Sequence, residues 1–122
     1  MFEPIEGAPA GIVAFKAVGS VEAADYESTL RPTVEAALAE HGKIRIVIEL
    51  GPEYEGYTAS AAWEDTKLWA PHLRDWERCA VVTDHRFLVD AIRLFAVVMP
   101  GEIKTFPVSE LAAALAWAAE GA

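Results

Sequence analysis

The sequence holds one cysteine, three histidines, and 10 lysines and arginines against 19 aspartates and glutamates. A single thiol excludes an intrachain disulfide, so packing must hold the fold. Cys79 lies in the run Arg78-Cys79-Ala80-Val81-Val82-Thr83 with no neighbour to lower its pKa, and reads as a buried structural thiol. His41, His72 and His85 fall on separate predicted elements, without HxxxH, HxH or Cys/His spacing. That argues against a transition-metal site built from protein ligands, and no metal or cofactor is expected. The net charge of −9, with no cluster of Lys and Arg, argues against nucleic acid, whose phosphates are bound by neutralising them. No apolar run reaches the roughly 18 residues of a membrane span; the longest, from Phe87 to Met99, is interrupted by Asp90 and Arg93. The opening MFEPIEGAPAG has neither the basic nor the apolar region of a signal peptide, so the cytoplasm is the expected compartment. Glycine-rich phosphate loops, GxSxG and Cys–His pairings are also missing, and with them the common signatures of an enzyme.

What is present is a core. Hydrophobic residues make up 53% of the 122 positions, enough for one domain spanning residues 1–122. Two short strands, residues 2–5 and 12–18, flank the turn Gly7-Ala8-Pro9-Ala10-Gly11 and predict an antiparallel hairpin. From Glu22 to His41 the apolar positions Ala23, Tyr26, Leu30, Val34, Ala37 and Leu38 recur every three or four residues, the period of a helix. Pro32 predicts a kink within it, or two abutting helices, and Gly42 its stop.

The stretch from Lys43 to Asp65 organises the rest. Ile44, Ile46, Val47, Ile48 and Leu50 form a strand with almost no polar alternation, which predicts burial on both faces at the centre of a sheet. Gly51-Pro52 ends it, Glu53 to Ser60 reads as a loop, and a helix starts near Ala59. In α/β folds the loop after a central strand, at the start of the next helix, is the usual place for a site. That makes Tyr54, Gly56, Tyr57, Thr58 and Ser60 the candidates. On the helix, Ala59, Ala62, Trp63, Thr66 and Trp69 are expected to face inward. Glu64 and Asp65 read as acidic first turns that suit the helix dipole. A second buried strand, residues 78–83, ends at Asp84, which should reach the same sheet edge or cap the helix that follows. That helix, residues 85–98, has only a narrow polar stripe of Arg86, Asp90 and Arg93. A strand at 103–106 and a helix at 110–120, capped by Ser109, complete the order ββαβαβαβα. About four helices on a mixed, mostly parallel sheet follow from that order.

The chain resembles a known group. Ala24-Asp25-Tyr26, His41-Gly42-Lys43 into the central strand, Gly56-Tyr57-Thr58 ahead of Ala62-Trp63-Glu64-Asp65, the run from Glu77 to Asp84, Thr105-Phe106-Pro107 and Ala114-Leu115-Ala116-Trp117 are similar to SpoIIAA-like proteins, relatives of the STAS domain of anti-sigma-factor antagonists. The resemblance implies the fold just derived and a regulatory module that switches by phosphorylation at the helix start after the central strand. Thr58 and Ser60 occupy that region, and a helix N-terminus suits a phosphate. Tyr57 stands where the Asp-Ser-Ser/Thr-Gly-like motif of STAS domains has its acidic residue, no glycine follows, and Glu53 and Glu55 would repel a phosphate. A plain N-cap is the preferred reading of Thr58.

Three functions remain. The first is a non-enzymatic module acting through a protein partner or by self-association; residues 87–99 carry more apolar surface than one face can bury, which predicts a homodimer. The second is a carrier of a small apolar, lipid-like ligand in a pocket beside the second and third helices, walled by tryptophans such as Trp63. An enzyme using Asp84 with Glu53 and Glu55 ranks last. An interior cavity would favour the second over the first.

Overall fold

The computed structural model describes residues 1–121. Strands β1 (Phe2–Pro4) and β2 (Val13–Ala17) form the expected antiparallel hairpin, with Phe2 opposite Ala17 and Pro4 opposite Phe15. β4 (Ile44–Leu50) lies parallel to β2 on one side and to β6 (Trp76–Thr83) on the other, and β7 (Glu102–Phe106) adds a parallel edge. The sheet order β1-β2-β4-β6-β7 puts Ile44–Leu50 at the centre, as its unbroken apolar run requires.

The pleat divides the core in two. Ile44, Ile46 and Leu50 of β4 point to one face with Val13 and Phe15 of β2 and Cys79 of β6. Val47, Ala14, Ala80 and Val82 point to the other. The first face is covered by the helical run after β2 and by α3 (Ala59–Trp69), with α4 (Arg86–Ala96) packed along β7. The second is covered by α5 (Leu111–Ala119), which buries Ala114 and Ala118 against β4 and β6. Arg45 and Arg78 reach around the end of α5: Arg45 donates to the carbonyl of Ala118 at 2.8 Å and Arg78 to that of Trp117 at 2.6 Å, matching cations to the negative end of the helix.

The helix predicted from Glu22 is continuous but not uniform. α1 (Ala23–Asp25) passes through a π turn (Tyr26–Leu30) into α2 (Arg31–His41), so helices on the sheet number four among the described residues. Pro32 sits just after the π turn, where Arg31 donates to the carbonyl of Tyr26. The π turn marks the place where Pro32 interrupts the regular bonding of the helix. Gly42, with φ +71°, ends the helix as anticipated.

Two expectations need correction. The segment read as a loop after β4 contains a strand, β5 (Tyr54–Tyr57), which pairs in parallel with β3 (Gly19–Val21), so a second, two-stranded sheet stands beside the main one. Gly19, just past the end of β2, opens β3 at φ +68°. Ser109 does not cap the last helix. It lies in the 3-10 turn Val108–Glu110 that precedes α5, and Asp84 Oδ1 accepts from the Val108 N–H at 3.1 Å.

Candidate functional site

Between the first sheet face and its helices the chain leaves a cavity of about 520 Å³. Ile46 and Ile48 of β4, with Cys79 and Val81 of β6, make its floor. The walls are aromatic: Tyr26 from the π turn, Tyr54 and Tyr57 from β5, Trp69 from the end of α3 and Trp76 from the start of β6. Leu88, Ile92 and Phe95 of α4 close the side over β7. These aromatics stack on their edges: Tyr26–Tyr57 and Tyr54–Tyr57 centroids are 6.1 and 5.7 Å apart, and Trp69–Trp76 4.2 Å at 84°. Such pairs hold rings at fixed angles and keep the wall shaped when nothing fills it.

One carboxylate enters this apolar space. Asp65 Oδ1 accepts from the Tyr26 phenol at 2.8 Å and from the Trp69 indole N–H at 2.9 Å. Burial pushes the Asp65 carboxyl above the usual carboxylate range, and the two donated hydrogen bonds pull part of the way back. Burial likewise raises the phenols of Tyr26 and Tyr57, so both stay protonated and can donate. The Cys79 thiol is pushed up to about 12, an inert group in keeping with its reading as structural.

The sequence-derived candidates separate into two groups. Tyr54 and Tyr57 line the cavity. Gly56 lies between them at φ +123°, a backbone conformation that a residue with a side chain rarely adopts. Thr58 is the N-cap of α3, its hydroxyl accepting from the Ala61 N–H at 3.1 Å, and Ser60 is exposed in the first turn. Trp63 points to solvent, 63% exposed, and takes no part in the cavity wall. Asp84 reaches the sheet edge expected of it but faces a separate cleft of about 290 Å³ with His85 and Val108. It caps neither α4, whose His85 N–H is bonded by Thr83 Oγ1 at 3.2 Å, nor any group of the aromatic cavity.

The phase of α3 explains what was missed. Its buried face is Ala61, Glu64 and Leu68; of the residues expected to face inward, Ala62, Thr66 and Trp69 line the cavity together with Asp65, whereas Trp63 does not. Glu64 is buried because Arg31 and Lys67 each reach it at 2.9 Å. Two acidic residues on an inward face look like a solvated stripe in sequence. The usable signal was Asp65 four residues before Trp69, a spacing that lets the carboxylate meet the indole within one helix.

The SpoIIAA-like family model matches residues 12–119. The chain belongs to the SpoIIAA-like family. A solved structure described as an uncharacterized protein from the DUF3478 family with a SpoIIAA-like fold, from Shewanella loihica PV-4, is 36% identical to this SpoIIAA-like chain. It covers 85% of this chain and 80% of its own length, with a TM-score of 0.69. No curated protein matches this SpoIIAA-like sequence.

Proposed function

We propose that the protein is a non-enzymatic binding module that holds a small apolar ligand between its sheet and α3 and α4. The observation that carries this reading is the aromatic-walled cavity of about 520 Å³, within the range of roughly 300–1,000 Å³ typical of ligand pockets. The polar groups are few and convergent, as in sites that orient an otherwise oily molecule. Titration with decanol, followed by the fluorescence of Trp69 and Trp76, should show saturable binding. Val81→Phe, which fills the floor, should abolish it while leaving the far-UV circular dichroism unchanged. Wild-type protein that gives no saturable response would overturn the reading.

A second reading, action through a protein surface, rests on a different observation. The outer side of α4 leaves Phe87, Leu94, Val97 and Val98 in solvent, between 74% and 82% exposed. Soluble proteins seldom leave such a patch unused, and a second copy of the chain is the simplest partner.

A further inference from the structure

We infer that the ligand of the aromatic cavity carries an amine, an organic ammonium whose N–H groups meet Asp65 while its apolar remainder lies along Ile48, Val81 and Leu88. The inference rests on the cavity being a ligand site, as proposed above. Three features of the wall point to a cation. Asp65 is the one charged side chain lining the cavity, and among the described residues no Lys, Arg or His pairs with it. Its Oδ1 already takes the Tyr26 and Trp69 donors, whereas Oδ2 has no hydrogen-bond partner among the described residues. The buried Trp76 indole N–H also lacks a partner but is sealed from the open space, and beside the hydroxyls of Tyr54, Tyr57 and Thr66 the charged group of the lining is Asp65. Finally, the rings of Tyr26, Tyr54, Tyr57, Trp69 and Trp76 line the same cavity as the carboxylate, and aromatic faces attract cations.

These features add with one sign. A carboxylate ligand would meet Asp65 and the ring faces as like charge, and an alcohol would use the acceptor without the charge. An ammonium replaces the hydration that Asp65 loses on burial and gains the ring faces as well. Hydrogen bonds to charged groups exceed neutral ones enough to be worth about ten-fold in affinity.

The test compares decylamine, decanol and decanoate, each below its micelle threshold in physiological salt, on wild type, Asp65→Asn and Val81→Phe, by tryptophan fluorescence. Decylamine should bind wild type about ten-fold more tightly than decanol, with decanoate weakest. Asp65→Asn keeps the acceptor for Tyr26 and Trp69 and should abolish the preference for decylamine over decanol. Val81→Phe should remove binding of both. Equal affinities for decylamine and decanol, or tightest binding of decanoate, would overturn the amine while leaving the apolar pocket standing. An amine preference that survives in Asp65→Asn or Val81→Phe would come from the acidic surface and would equally overturn it. Failure of all three compounds on wild type would bring down the pocket reading itself.

Discussion

Asp65 shows what burial costs a carboxylate. A carboxyl raised by burial binds its proton more readily in the folded chain than in the unfolded one. Its contribution to stability is therefore greatest below the ordinary carboxylate pKa of about 3.8 and is lost as pH rises through the higher folded value. Asp65→Asn is free of that loss. The stability of the variant relative to wild type should rise from pH 3 to pH 7 in urea unfolding, because all other groups cancel in the difference; a flat difference would mean that Asp65 is not desolvated. Thr58 gives the opposite case, a residue whose observed bond is structural. Thr58→Ala removes the cap on Ala61 N–H and should lower the unfolding free energy by about 1 kcal/mol, with no change in cavity affinity.

Elements, rather than single side chains, decided what could be read from the sequence. The central strand, its two neighbours and the opening hairpin were legible because Ile44 to Leu50 and Cys79 to Val82 are apolar on both faces, a pattern that few other placements satisfy. β5 was not, because Glu53, Glu55 and Gly56 make it look like a turn and its partner β3 is only three residues long. Tertiary pairing supplied what local propensity lacked: the Gly19 N–H donates to Glu53 O at 2.6 Å and the Thr58 N–H to Val21 O at 3.0 Å. The inward face of α3 was hidden for a related reason, since Glu64 and Asp65 are paired and bonded inside rather than solvated. The register of β7 on β6 depends on Gly101. A Cβ there would come within 2.6 Å of the Trp76 carbonyl, backbone that cannot swing aside. Gly101→Ala should therefore destabilise by about 1–3 kcal/mol, the usual range for overpacking, and the loss should appear as a lowered urea midpoint. Since Trp76 also walls the cavity, decanol affinity should fall in the same variant; a fully stable Gly101→Ala would show that the β6–β7 approach is loose.

At the scale of the whole molecule, the two faces of α4 set the last question. Leu88 and Ile92 line the cavity, Phe95 lines its rim half exposed, Phe87, Leu94, Val97 and Val98 stand in solvent, and no residue of the helix is fully buried. A surface helix needs one apolar stripe; this one has two, and the outer has no partner among the described residues. A twofold pairing of α4 with its copy would cover it with one self-complementary patch. The acidic excess works against that pairing, because two chains of net charge −9 repel at long range and the repulsion is screened within about 10 Å at 0.1 M salt. Association should therefore tighten as salt rises, the opposite of an interface held by ion pairs. Sedimentation over a wide concentration range should show a monomer–dimer equilibrium that shifts toward dimer between 0.05 and 0.5 M salt, about the span over which screening becomes effective. Leu94→Glu, placed in the middle of the patch and outside the cavity, should leave a monomer that still binds decanol. A wild type that stays monomeric at high micromolar concentration in both salts would rule out self-association through α4. Loss of decanol binding in a monomeric Leu94→Glu would show that the outer and inner faces of the helix are coupled.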